Sequence, residues 1–391
     1  MKPADVITLG CRLNLAEGER IRAMLAGETG LVVVNSCAVT AEAVRHTRQA
    51  IRRARREQPG ARLLVTGCAA DIEREQLSAM PEVDGLIANA DKLDARAWNV
   101  PAAAPPVPSG HSRGFVAVQN GCDHACTFCV IPQGRGPSRS LTIAEVLQEV
   151  GRCMDFGAAE IVLTGVDVTS WGQDLPGKPQ LGQLVLAILE EFPQLPRVRM
   201  SSLDGIEIDP LLFELFASEP RVMPHLHLSL QHGHDLILKR MKRRHSRRDA
   251  AELVDRLRQR RPDLAIGADL IAGFPTEDET MHAANLSIIE ELDIVHGHIF
   301  PYSPRPGTPA ARMPQVAAPV IKQRAADLRG RVIQRRERWL DSHIGKPLQV
   351  LAERDGTGHA PDFARVAVPD GAAPGAVVTV TPVAHEKGLL R

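Results

Sequence analysis

The stretch Gly121-Cys122-Asp123-His124-Ala125-Cys126-Thr127-Phe128-Cys129 decides how the rest of the chain reads. Its three cysteines stand at C-x3-C-x2-C spacing, just after an apolar run at 115–118 that reads as a strand. Three thiolates on one tight loop can hold three irons of a [4Fe–4S] cluster and leave the fourth iron without a protein ligand. An open iron suits a cluster that must bind a small molecule, whereas a cluster made only for electron transfer is usually closed by a fourth Cys. A structural zinc site wants four ligands, commonly as two pairs, and no fourth Cys or paired His lies close by. Cys126 and Cys129 alone could form a thioredoxin-like pair, but Cys122 would then be unexplained.

Working back toward the amino terminus, residues 1–98 alternate short apolar runs with helical patterns. Strands are expected at 6–9, 31–35 and 63–66, and helices at 13–26, 41–57 and 71–80. The second helix is basic and stops before Pro59-Gly60. This alternation predicts a parallel sheet with helices on its faces. Cys11, Cys37 and Cys68 each fall just past one of these strands, after Gly10, Ser36 and Gly67. Carboxyl ends of neighbouring parallel strands face one crevice. The fold would therefore gather three thiols that are far apart in sequence, which suggests a second cluster with one iron open. The alternative is three buried core cysteines, a common fate for free thiols.

Residues 99–113 are rich in Pro and Ala and read as an extended linker. From 114 to 340 a second domain is expected. Its strands are at 115–118, 160–163, 198–201, 226–230, 265–271 and 296–300, and its helices at 143–156, 181–192, 210–217, 249–260 and 278–292. Six strands alternating with helices suggest an open or partial barrel whose site lies at the carboxyl ends of the strands. Gly165, Asp167, Ser201 and Gln231 stand at such ends. Each alone is more often a cap of the next helix than a ligand contact. Cys153 lies inside an expected helix and reads as a core or surface thiol. Residues 341–391 change to short strands punctuated by Gly and Pro, a small all-β module of about five strands.

The chain has 391 residues, no net formal charge and a single tyrosine, Tyr302. Global charge therefore names no partner, and scarce aromatics argue against a surface of stacking rings. Local basic runs remain: Arg45, Arg48, Arg52, Arg53, Arg55 and Arg56; the denser run 239–248; and Arg329, Arg331, Arg335, Arg336 and Arg338. Such runs supply phosphate contacts or solvated helix faces, and density favours the middle run for RNA. No secretory leader or membrane span is expected, and seven cysteines without one point to a reducing cytosol and metal ligation.

With these residues in place, the whole chain resembles the methylthiotransferases of the radical S-adenosylmethionine (SAM) superfamily. Three segments carry the likeness. The first is Gly10-Cys11-Arg12-Leu13-Asn14 with Asn35-Ser36-Cys37-Ala38-Val39-Thr40 and Thr66-Gly67-Cys68-Ala69. The second is the three-cysteine loop with Arg135-Gly136-Pro137-Ser138-Arg139. The third is Pro301-Tyr302-Ser303-Pro304-Arg305-Pro306-Gly307-Thr308-Pro309. Gln133 and Ser36 depart from common family residues, and Asp362-Phe363-Ala364-Arg365 is a loose match to the RNA-facing segment of a TRAM domain.

The resemblance implies an α/β fold of three parts: a parallel α/β domain at 1–98, a radical SAM partial (β/α)6 barrel at 114–340 and a TRAM-like RNA-binding module at 341–391. It implies two [4Fe–4S] clusters, one auxiliary on Cys11, Cys37 and Cys68 and one on Cys122, Cys126 and Cys129 that binds and cleaves SAM. SAM contacts are expected at Phe128, Gly165, Asp167, Ser201 and Gln231. The activity implied is methylthiolation of tRNA, with the first segment and the Arg-Gly-Pro-Ser-Arg run most similar to the subgroup acting on N6-threonylcarbamoyladenosine beside the anticodon. Isopentenyladenosine tRNA and a ribosomal-protein aspartate are the other substrates of such enzymes. An external one-electron donor is required, and the sequence names no sulfur donor. A non-catalytic iron–sulfur RNA-binding protein is the reading from a different class, against which two open clusters argue.

Overall fold

A short apolar run followed by a helix recurs three times at the start of the chain. The computed structural model describes residues 2–101 and 112–391, and the expected linker at 99–113 falls for the most part outside them. Strands β1 (Asp5–Thr8), β2 (Leu31–Ser36), β3 (Arg62–Gly67) and the short β4 (Gly85–Leu86) form one parallel sheet in that order. Along β2 the side chains alternate. Val32 and Val34 pack with Ile51, Ala54, Val65 and Leu77, whereas Val33 packs with Val6, Ile21, Leu25, Leu64 and Trp98. Both faces are thus buried, as a parallel sheet requires.

Helices α1 (Arg12–Met24) and α2 (Ala41–Glu57) supply the cover. In α2 the Thr40 side chain accepts a hydrogen bond from the Ala43 amide at 3.1 Å, and Val44, Thr47, Ala50, Ile51 and Ala54 make the buried stripe. The single helix expected at 71–80 is two pieces, α3 (Cys68–Ile72) and α4 (Arg74–Ser78). The first starts at the cysteine itself. The break falls at Glu73, whose carboxylate is engaged by Arg48 and Arg305.

The next strands run β5 (Arg113–Ala117), β8 (Glu160–Thr164), β9 (Arg197–Met200), β10 (Ser202–Leu203), β11 (His225–Gln231), β12 (Ala265–Ala272) and β13 (Ile294–Pro301). They pair in parallel as β5-β8-β9 and β10-β11-β12-β13, with β9 and β10 consecutive pieces of one run that breaks at Ser201. The six expected strands are therefore present, with their five helices α6 (Ile143–Asp155), α7 (Leu181–Glu191), α8 (Pro210–Ser218), α10 (Arg247–Arg260) and α11 (Glu279–Glu291). Their core includes Val116, Ile161, Leu163, Val198, Leu228, Ile266 and Leu270, with Cys153 buried among them. Three helices of this stretch were not read from sequence: the short α5 (Ile131–Arg135), α9 (Asp235–Arg240), whose last two residues begin the middle basic run, and α12 (Ala318–Asp341). Between β5 and β8 lie two-residue strands β6 (Gln119–Asn120) and β7 (Arg139–Ser140), the three-cysteine loop and α5 (Ile131–Arg135).

Strands β14 (Leu348–Ala352), β15 (Thr357–His359), β16 (Arg365–Ala367), β17 (Val377–Val380), β18 (His385–Glu386) and β19 (Leu389–Leu390) form a mostly antiparallel sheet, one strand more than expected. Its small core is Leu340, Val350, Ala360, Ala364, Val366 and Leu390. This module meets the amino ends of the barrel strands. Arg197 donates to the His359 and Gln349 carbonyls, and Arg113 pairs with Glu353 at 2.8 Å. Phe363 stacks on His225 and His359 with the Arg199 guanidinium 4.8 Å from its ring centre. Asp362 and Phe363, expected to face RNA, are engaged by the protein itself.

Contacts divide the chain into two compact units. One takes the described residues within 1–109, 119–139 and 303–311, and the other those within 110–118, 140–302 and 312–391. Both cysteine sets belong to the first.

Candidate metal centre

The register of the amino-terminal sheet fixes the first set. Thr8 pairs with Asn35 and Asn35 with Thr66, so the three strands end in one row. The chain turns just beyond that row at Cys11, Cys37 and Cys68. Gly67 has φ +90, and a Cβ there would come within 2.4 Å of the Ser36 carbonyl oxygen, so only Gly makes this turn into Cys68. Cys37 and Cys68 are buried and Cys11 is exposed. Burial pushes the Cys37 thiol up to about 11, and Cys11 and Cys68 add to the rise by like-charge repulsion. Three soft donors with one exposed edge fit an iron–sulfur cluster that must be reached from outside. Metal binding would release the thiol protons.

The second set sits on a braced loop. Gly121 has φ +75, and a Cβ would lie 1.9 Å from the Pro137 carbonyl oxygen. Gln119 donates to the Gly121 carbonyl and to the Ser138 hydroxyl, and the Ser138 amide donates to Asp123. Within the loop the His124 and Ile131 amides donate to the sulfurs of Cys122 and Cys129, both at 3.4 Å. Amides aimed at sulfur stabilise thiolate, as cluster ligation requires. All three cysteines are partly buried.

A buried charge network joins the loop to the first set. Glu17, on the buried face of α1, accepts from Lys92 at 2.6 Å and from both terminal nitrogens of Arg135 at 2.9 and 3.0 Å. The Arg135 fork also reaches Asn14 and Asn120, and Lys92 reaches Asn35 at 3.4 Å. Burial alone would raise the Glu17 carboxyl, but the two cations outweigh it and hold the pKa below the usual range. The same cations act on Cys68: burial raises its thiol, while Arg135 and Lys92 pull it down. Two buried cations against one carboxylate leave a positive surplus beside the thiols, which suits an anionic thiolate set. Asn89 completes this wall, donating to the Gly134 carbonyl at 2.5 Å. Of these residues, sequence reading named Asn14, Asn35 and Arg135, each only as part of a motif, and missed Glu17, Asn89, Lys92 and Asn120. The available signal was Asn14 and Glu17 sharing a helix face with Leu13 and Ile21.

The remaining predicted contacts are at barrel strand ends. Gly165 follows β8, Ser201 lies between β9 and β10, and Gln231 ends β11. Gln231 has φ +68, a left-handed conformation uncommon for a side-chain-bearing residue and frequent at functional turns. Asp167 accepts from the Ser170 hydroxyl at 2.8 Å, within its own turn. Lower in the barrel, Asp269 on β12 accepts from His227 on β11 and His298 on β13 through one oxygen, at 3.2 and 3.1 Å, and from Ser202 through the other. Phe128 belongs to the three-cysteine loop and so to the other unit.

Comparison with known proteins adds to this geometry. Residues 116–286 match the radical SAM superfamily and residues 4–88 match an uncharacterized protein family, UPF0004. The chain is 42% identical to the threonylcarbamoyladenosine tRNA methylthiotransferase MtaB of Rickettsia prowazekii, over 99% of this chain and 96% of that protein. The chain belongs to the radical SAM methylthiotransferase family. Other relatives of this methylthiotransferase are the MtaB of Thermotoga maritima, 32% identical over 90% of this chain and 87% of that one, and the tRNA-2-methylthio-N(6)-dimethylallyladenosine synthase of Erythrobacter litoralis, 31% identical over 91% and 87%. Among solved structures it is similar in fold to TsrM, a radical S-adenosylmethionine methyltransferase from Kitasatospora setae. That match has TM-score 0.55 and 16% identity, covering 80% of this chain and 77% of TsrM. The cobalamin-dependent S-adenosylmethionine radical enzyme OxsB matches at TM-score 0.52 and 11% identity, over 85% of this chain and 56% of OxsB.

Proposed function

We propose that this protein installs a methylthio group on N6-threonylcarbamoyladenosine in tRNA, adjacent to the anticodon. The observation that carries the reading is the pair of three-cysteine sets in a chain related end to end to MtaB proteins. In this reading Cys11, Cys37 and Cys68 hold an auxiliary [4Fe–4S] cluster, and Cys122, Cys126 and Cys129 hold the cluster that binds SAM. The two clusters and SAM supply one-electron chemistry able to break an unactivated aromatic C–H bond, which acids and bases at neutral pH cannot do.

The chain's own residues bind, orient and shield. The His124 and Ile131 amides steady the thiolates of the loop. Arg135 and Lys92, fixed by Glu17, offset thiolate charge at Cys68. Phe128, Gly165, Asp167, Ser201 and Gln231 are assigned to SAM, with Gly165 giving close backbone approach. Residues 1–98, 114–340 and 341–391 act as auxiliary-cluster, radical SAM and RNA-binding parts. An external one-electron donor completes the cycle. No helix among the described residues is long and apolar enough to cross a membrane, and a tRNA substrate supports a cytoplasmic location.

Nucleoside mass spectrometry of total tRNA from cells with and without the gene tests this. Loss of 2-methylthio-N6-threonylcarbamoyladenosine with accumulation of its unthiolated precursor is expected. An unchanged level of that nucleoside with loss of the isopentenyl analogue would move the assignment to the activity named for the Erythrobacter relative.

A further inference from the structure

Three basic runs stand out in the sequence, and the structure treats them differently. In the middle run Arg240 donates to the Thr276 hydroxyl at 2.7 Å. Arg243 is held by Asp204 and the Ser229 carbonyl, Arg244 by Glu207, and Arg247 by the Gly233 and Ala284 carbonyls. In α12, Arg329 and Arg336 donate to backbone carbonyls of β13, and Arg335 pairs with Asp293. These guanidinium groups brace the barrel, so the density that favoured the middle run for RNA reflects internal ties.

On α2 only Arg55 is tied in this way, to the Ala61 and Glu82 carbonyls and Asp84. Arg45, Arg48 and Arg52 are 62%, 37% and 56% exposed, and their pairs are a local Glu42 contact and looser approaches of 3.4 and 3.9 Å to Glu73 and Glu82. Such exposed pairs hold weakly and exchange readily for another anion. The three share one face of the helix at i, i+3 and i+7 spacing. They line a groove of about 380 Å³ together with Ala41 at the helix start and Arg305.

Arg305 is the second observation. It is 4% exposed, its Nη2 holds Glu73 at 2.9 Å, and its Nε has no hydrogen-bond partner. A buried, unsatisfied guanidinium donor in a groove lined by three further arginines wants an acceptor from outside. Four guanidinium groups against the three carboxylates of Glu42, Glu73 and Glu82 leave the groove a net positive charge, and planar forks suit phosphate oxygens. Chain order places it beside the first cysteine set, since Cys37 precedes the helix cap Thr40 by three residues.

We infer that this groove along α2 is the track for the phosphodiester backbone of the substrate RNA next to the modified nucleoside. The inference rests on the tRNA reading above and names a surface that the amino-terminal part presents to that substrate. Because the contacts are to phosphate, they position the RNA without reading sequence.

Binding of purified, cluster-loaded full-length protein to tRNA, measured across a salt series, tests it. Replacing Arg45, Arg48 and Arg52 together with alanine should weaken tRNA binding about tenfold or more near physiological salt and flatten the slope of log K against log salt by about two to three. Arg53→Ala removes one such charge from the same helix outside the groove, the control for a single-arginine variant, and should change binding less than about twofold. Arg52→Gln alone serves if the triple variant loses iron or helical signal, and should flatten the slope by just under one. Variants that match Arg53→Ala while the wild type binds tRNA overturn the groove and leave the tRNA reading standing. A cluster-loaded wild type that binds no tRNA overturns both.

Discussion

Arg135 shows how much of this site depends on side chains that touch no iron. Its fork fills three acceptors at once: Glu17, Asn14 and Asn120. Lysine carries the charge but cannot reproduce that geometry. Arg135→Met leaves the buried Glu17 carboxylate with Lys92 as its one remaining cation beside the Asn120 amide, and breaking a buried pair this way costs about 3–5 kcal/mol. The expected outcome is a lower thermal midpoint and poor retention of the cluster on Cys11, Cys37 and Cys68. Iron analysis would fall from about eight toward about four per chain. Arg135→Lys should fall between wild type and Arg135→Met in both measurements. The cysteines of this site were legible because three strands end in register and each is followed by the same residue type. Lys92 was not, because a lone lysine beside Asp91 reads as surface. Its burial is set by Glu17, which is 75 residues away in sequence.

At the scale of elements, nearly every strand and helix that periodicity predicted lies within two residues of its expected bounds, because apolar spacing is dictated by the layer each element covers. It failed for α12, whose exposed face is arginine and glutamate and whose interior contains Gly330, so charge masks a stripe of Ala325, Leu328 and Val332. It also failed for the role of residues 362–363, since no local pattern tells which face of a small β module meets a neighbour. Phe363 sits in the left-handed region at φ +73 and still stacks between two imidazoles, a conformation kept by its partners. Phe363→Ala should cost about 2 kcal/mol, less than the 3–5 typical of a fully buried Phe. Increased proteolysis within 341–391 should precede loss of the barrel.

The same contact carries a pH dependence. His343 Nε2 donates to the Asp362 carboxylate at 2.5 Å. Burial alone would lower its pKa, but the Asp362 carboxylate and the Trp339 carbonyl outweigh burial and raise it. A raised histidine contributes stability that is full below its unfolded value of about 6.5 and is lost as pH rises through the folded value. The thermal midpoint should therefore fall on going from pH 6 into the alkaline range, and Asp362→Asn should flatten that fall. An equal slope in the variant would assign it to other groups.

For the whole molecule, the organising fact is that two sets of three cysteines, one scattered over three strands and one packed in a loop, fall in the same compact unit. Three thiols in each set would leave one iron of a [4Fe–4S] cluster without a protein ligand, so each set could bind something different, and the two losses should be separable. Cys126→Ala should remove about half of the iron and abolish formation of 5′-deoxyadenosine from SAM. Cys68→Ala should remove a similar share yet keep 5′-deoxyadenosine formation under reducing conditions, with no methylthiolated nucleoside produced. The residue difference is small, one sulfur in either case, so a different product pattern can come only from a division of labour between the sets. Were both variants to lose SAM cleavage equally with the remaining iron intact, the two sets would be acting as one centre, and the assignment of an auxiliary role to Cys11, Cys37 and Cys68 would fail.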